Sequence, residues 1–143
     1  MTDPTPWQVE LLKVAERLEA KTKQTRWTDR TDVLLERYFI VGAYAMQKLL
    51  RSCPARDELA SRRIPVRRFD SGYDLDLSRR DTVTVADMCH QIVHNTSFTF
   101  YCGETSDLYD GIYVSSDRDE QNVVLVIASD FIALCNDLGT ENL

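Results

Sequence analysis

The stretch from Thr31 to Arg51, TDVLLERYFIVGAYAMQKLLR, constrains the rest of the chain more than any other. It contains no proline, and its single glycine, Gly42, lies in a run that is apolar on every side from Tyr38 to Met46. The spacing predicts a helix from Thr28 to Ser52, roughly 37 Å long at about 1.5 Å per residue. Asp32, Glu36, Gln47 and Arg51 fall within about 100° of one side, but Ile40 and Ala43 interrupt that row at mid-helix. A helix apolar all round in its middle turns is covered on several sides, so this is the expected central core helix. Glycine in a covered helix costs roughly 1 kcal/mol against alanine, so Gly42 implies a second backbone passing close by.

A chain of 143 residues suits one domain with a core of its own. No apolar run approaches the length of a membrane span, and the start, MTDPTPWQVELL, lacks the basic and apolar regions of a signal peptide. A cytoplasmic location with no membrane contact is expected. Cys53, Cys89, Cys102 and Cys135 are widely spaced and form no C-x-x-C pair, so they read as reduced, small apolar side chains. The net charge of −6 is unevenly spread. Residues 51 to 80 carry 8 basic and 5 acidic side chains, whereas residues 81 to 143 carry 1 and 11. The C-terminal part would repel a phosphate backbone and suits a basic protein partner, so any bound RNA should meet the segment Arg62 to Arg68.

Thr5 as N-cap, Pro6 at the first helical position and Gln8 closing a capping box predict a helix from Pro6 to Ala20. Trp7, Leu11, Val14 and Leu18 form its apolar stripe, and Trp27 in the following polar connection reads as a packing anchor. After Pro54 a turn or two of helix is expected over Ala55 to Ser61. Ile64, Val66 and Phe69, with Pro65 among them, predict an edge strand, and Tyr73, Leu75 and Leu77 alternate as a second strand of a hairpin. Asp81 to Thr84 supplies N-cap candidates for a helix from Val85 to about Asn95, its buried stripe Val85, Met88, Cys89, Ile92 and Val93. Strands over Ser97–Cys102, Gly111–Ser116 and Asn122–Ala128 form an antiparallel meander around the polar loop 103–110. Ser129 then caps a helix from Asp130 to Leu138, with Gly139 as its stop.

The fold class expected is α+β: a helical core of three helices with a small antiparallel β-meander and a C-terminal helix. The single domain, 1–143, divides into a helical part over about 6–96 and the meander with its helix over about 97–139.

Asp87, His90 and His94 cluster on the polar side of the third long helix. Two imidazoles one turn apart and a carboxylate one turn earlier are the donor types that hold zinc or another divalent ion. Gln91 follows His90, so the glutamate base of H-E-x-x-H is absent. Asp117-x-Asp119-x-Gln121 has Asn122 where a calcium loop requires glycine and reads as a solvated hairpin turn. No nucleophile elbow, P-loop or dinucleotide fingerprint is present.

At CHQIVHN the chain resembles the HEPN superfamily, helical domains of prokaryotic toxin and defence systems whose signature is R-x4-6-H. Aligning His94 with that histidine puts Cys89 at the arginine position and His90 just after it, and the resemblance covers about residues 6 to 100. For active members it implies metal-independent RNA cleavage, with histidine as acid or base and arginine stabilising the phosphorane. Cys89 cannot supply that charge, which leaves Arg37, beside Glu36 on the core helix, or an arginine of the 62–68 group to do so. The resemblance therefore implies a degenerate, noncatalytic accessory or regulatory protein of a toxin–antitoxin or phage-defence system. It would act through protein contacts, as a homodimer or on a partner, with no cofactor. The alternatives are a ribonuclease using His94, with His90 and Arg37 as further catalytic candidates, and a metal-binding protein using Asp87, His90 and His94.

Overall fold

The computed structural model describes residues 3–53, 56–69, 78–116 and 123–141. In chain order these form α1 (Thr5–Thr22), α2 (Thr31–Ser52), α3 (Arg56–Ala60), β1 (Arg63–Phe69), β2 (Arg79–Thr84), α4 (Val85–Val93), β3 (Asn95–Tyr101), β4 (Gly111–Ser116), β5 (Val123–Ile127) and α5 (Ala128–Thr140). The α+β expectation holds, but the sheet is larger than a three-stranded meander. Its order is β2-β1-β5-β4-β3, every neighbouring pair antiparallel. The expected meander β3-β4-β5 is present, and the β1–β2 hairpin extends it through β1 against β5.

The second hairpin strand differs from the sequence reading. Tyr73, Leu75 and Leu77 lie outside the described residues, and the partner of β1 is the charged segment Arg79–Thr84. Pro65 sits inside β1, a strand with neighbours on both sides, rather than in an edge strand. The exception is local: β5 pairs only with Arg67, Arg68 and Phe69, so Pro65 has sheet on one side alone and its missing N–H breaks no ladder. The calcium-like loop 117–121 also lies outside the described residues.

Alternation sorts the strands into two faces. Ile64, Val66, Val83, Ile112, Val114, Val124 and Val126 point into one core with the helices. Helices α4 and α5 lie on this face, α2 packs over both, and α1 closes the stack against α2 and α5. Phe39 joins the layers, its ring meeting Phe98, Tyr109 and Phe131 at centroid distances of 6.2, 6.2 and 4.9 Å. On the other face Phe69 and Leu125 are buried beside the half-buried Tyr113.

Helix α2 is the central helix, though shorter at its start than expected and not closed all round. Val33, Arg37 and Tyr44 remain exposed along one stripe. Trp27 is the expected anchor only in part: it packs edge-on against Phe100 at 5.3 Å and donates its indole N–H to Asp32, yet it is 37% exposed. All four cysteines are free, and three of them are buried while Cys102 is exposed.

Four end signals read from the sequence do not hold. Thr5 does not cap α1, because Pro4 occupies that position and no side chain caps it. Gln8 closes no capping box: its Nε2 donates to the carbonyls of Leu138 and Glu141, at 3.0 and 2.8 Å, at the end of α5. Ser129 lies inside α5, which starts at Ala128 without a side-chain cap. Gly139 does not stop α5 either. A Cβ there would lie 2.7 Å from Leu12 Cδ2 and 3.2 Å from the Gln8 carbonyl, so glycine serves the close approach of α1. Removing two hydrogen bonds with Gln8→Leu is expected to cost about 2 kcal/mol. A urea midpoint equal to that of the unaltered protein would show that water replaces both bonds.

Candidate functional site

The candidate residues of the sequence converge only in part. Thr84 caps α4, its Oγ1 accepting from the Asp87 N–H at 3.1 Å, and Val85, Met88, Cys89 and Ile92 are buried as expected. The helix ends at Val93. His94 is therefore its C-cap, with φ −108° and ψ 35°, rather than a residue of the last turn, and its N–H bonds the His90 carbonyl at 2.9 Å. The two imidazoles do meet, with ring centroids 4.8 Å apart, His94 exposed and His90 half-buried. Asp87 does not complete the metal trio: among the described residues no three His, Cys, Asp or Glu side chains form a metal-holding group.

Cys89, at the position of the resemblance's arginine, is fully buried, with its Sγ 3.7 Å from Met46 Sδ on α2. Burial, and then the nearby Cys135 thiol, push its pKa up, so it remains a neutral thiol. Arg37 is exposed on α2, and among the described residues no arginine hydrogen-bonds His94. The arginines of the 62–68 group are engaged elsewhere. Arg62 pairs with Glu141 at 2.6 Å, Arg63 bonds the Thr82 hydroxyl and carbonyl, Arg67 bonds Ser78, and Arg68 pairs with Asp81 at 2.8 Å. That pairing, with the Thr82 N–H, holds the Asp81 carboxyl below the usual carboxylate range.

A cleft of about 430 Å³ opens elsewhere, between the end of α1, the loop 102–110 and the start of α5. The sequence reading passed over this loop as merely polar. Its apolar pair Leu108-Tyr109, set between acids, was the available signal. Tyr109 is fully buried and donates its hydroxyl to the Leu18 carbonyl at 3.1 Å, and the Leu108 N–H bonds Thr22 O at 2.9 Å. Asp110 ties the loop to both neighbours: its N–H bonds Tyr101 O at 2.7 Å and its carbonyl accepts from the Ala128 N–H at 2.8 Å. The Asp110 carboxylate accepts the N–H groups of Glu104 and Thr105, at 2.8 and 3.3 Å, and the Thr105 hydroxyl.

This bracing gives the cleft a fixed shape and an uneven lining. Its floor is largely apolar, with Tyr109, Ile127, Ala128 and Ile132. Its rim carries Glu19, Glu104 and Asp107, with Asp110 buried beneath them, against Lys23, which is itself paired with Asp107 at 3.0 Å. The Glu104 carboxylate accepts the Tyr101 hydroxyl at 2.5 Å, and that bond is the main reason the phenol is pushed up to about 12. Three accessible carboxylates around an apolar floor suit the stem and head of a lysine or arginine side chain. Among the described residues of the lining there is no histidine or cysteine.

No helix among the described residues is long and apolar enough to cross a membrane. No family-level sequence model, curated protein or solved structure matches the chain.

Proposed function

We propose that this chain is a noncatalytic accessory protein that acts by holding a basic segment of a protein partner in the cleft between α1, the 102–110 loop and α5. The observation that carries this reading is the combination of a braced, apolar floor with three carboxylates at its rim. A lysine or arginine stem covers the floor while its charged head meets Glu19, Glu104 or Asp107, all of them at least partly exposed. The setting implied by the resemblance, a toxin–antitoxin or phage-defence system, supplies a partner class but no residue of this site. The noncatalytic half of the reading is supported by the burial of Cys89 and by the lack, among the described residues, of a guanidinium bonded to His94.

Two measurements test the two halves. Amide chemical shifts recorded while an arginine-rich peptide is added are expected to move at Glu104, Asp107 and Ile132, and to stay still with a glutamate-rich peptide of equal length. Shifts absent from the cleft would sink the docking reading. Mixed RNA incubated with the protein is expected to remain intact with or without chelator. Cleavage that disappears in His94→Ala would replace the noncatalytic reading with the ribonuclease one, and cleavage lost only with chelator would favour the metal one.

A further inference from the structure

The seam between α1 and α2 gathers cations and aromatic rings. Trp7 meets Tyr44 edge-on with ring centroids 6.0 Å apart, and further along α1 the Arg17 guanidinium lies over the Tyr38 ring at 5.9 Å. Residue numbers rise along α1 as they fall along α2, so the helices cross antiparallel and the two contacts mark opposite ends of one seam. Lys48 stands at the Tyr44 end, its Nζ 5.4 Å from the centre of that ring. At about 100° per residue, Arg37, Val41, Tyr44 and Lys48 fall within about 60° of one another, on the flank of α2 turned toward α1.

This strip is open to solvent and its charge is unbalanced. Arg17 and Arg37 are exposed, Val41 and Lys48 are half-buried, and Tyr44 and Val33, on the same side of α2, are 44% and 57% exposed. Arg17, Arg37 and Lys48 form no ion pair among the described residues. Glu10 is the carboxylate within the strip, and Glu36 lies about 100° round α2 from Arg37, on the flank away from α1. Cations gathered without counter-charges repel one another and favour an anionic partner. The ring contacts hold Arg17 and Lys48 in place and leave their N–H groups to donate to a carboxylate.

The apolar part of the strip separates two anionic classes. A phosphate backbone would use the cations but leave Val33 and Val41 uncovered, and Lys48 already occupies a face of Tyr44 on which a base would stack. An amphipathic helix with acidic flanks uses both, laying its apolar stripe along the seam and its carboxylates against the cations. We infer that the α1–α2 seam, from Tyr44 and Lys48 to Arg17 and Arg37, docks an acidic amphipathic helix of a partner protein. None of these residues lines the acidic cleft, so this surface stands or falls apart from the docking reading.

Two peptides of about 18 residues, five helical turns, test the surface: both carry the same leucine stripe, one with glutamate and one with lysine on its polar face. Amide chemical shifts of the full chain are expected to move at Val41 and Tyr44 with the glutamate peptide and to stay still there with the lysine peptide. Arg37→Gln/Lys48→Gln is expected to weaken binding of the glutamate peptide tenfold or more while leaving the melting curve unchanged. Arg63→Gln/Arg80→Gln, which removes the same charge from the β1–β2 hairpin, should bind it as the unaltered protein does. Tyr44→Ala should weaken binding alike at about 50 and 200 mM salt, whereas the loss in the charge variant should shrink at the higher salt. No shift at Val41 and Tyr44 with the glutamate peptide, full binding by Arg37→Gln/Lys48→Gln, or oligouridylate moving the same two amides as strongly would overturn the inference.

Discussion

Gly42→Leu is expected to lower the protein's stability by up to about 3 kcal/mol. A Cβ at Gly42 would stand 3.0 Å from Val14 Cγ1 and 3.1 and 3.2 Å from two atoms of the Phe131 ring. Both neighbours are buried, at 1% and 0% exposure, so neither can swing into solvent. Three further carbons beyond that Cβ have no space, and overpacking of this kind costs about 1–3 kcal/mol, sometimes more. Leucine regains roughly 1 kcal/mol of helix propensity, too little to offset the clash at the upper end. A melting temperature lower by about 10 °C corresponds to about 3 kcal/mol for a chain of this size. Gly42→Ala sets the propensity gain against the single close Cβ and should fall near neutral. Phe131→Ala combined with Gly42→Leu should cost less than the two changes summed, since the first vacates the space the second needs. Unchanged melting of Gly42→Leu would show that Val14 and Phe131 can part.

Stability is expected to fall as pH rises above 9. Burial, followed by the charge of the other thiol, pushes Cys89 up, and burial pushes Cys135 up to about 12. Tyr109 is raised by burial and then by Asp107. Each group is raised in the folded state, so above its unfolded pKa the unfolded chain loses a proton that the folded chain keeps. Stability is complete below the unfolded thiol value of 9.0 and declines as pH climbs toward the folded values. The slope is about 1.4 kcal/mol per pH unit for each group, so the two thiols together remove on the order of 3 kcal/mol by about pH 10. Urea midpoints at pH 8 and pH 10, measured with reductant, should differ accordingly. Identical midpoints would mean the thiols ionise as easily folded as unfolded. Cys89→Ala/Cys135→Ala should start lower at neutral pH and decline less.

The helical interior was legible because its signals are local. Leu11, Val14 and Leu18 on α1, and Met88, Cys89 and Ile92 on α4, recur at the helical period, and each is buried. The Thr84 cap and the Gly111–Ser116 strand follow from a few adjacent residues in the same way. The backbone expected close to Gly42 is not what meets it: its nearest neighbours are side chains, Val14 of α1 and Phe131 of α5. Of the candidate sites, the sequence brought His90 and His94 together but put the second on the helix it in fact ends.

Helix faces, strand periodicity and the uneven charge were decided by the order of residues alone, because apolar spacing sets which side of an element leaves water. Whether Gln8 turns to its own helix or to the end of α5, whether Pro65 meets one neighbour or two, and whether Gly139 stops a helix or lets another approach were decided by tertiary structure. So were the cleft, assembled from Glu19 through Asn136, and the seam that brings Arg17 of α1 over Tyr38 of α2. Each depends on groups distant along the chain, and residue order carries no distance between them until the core has closed.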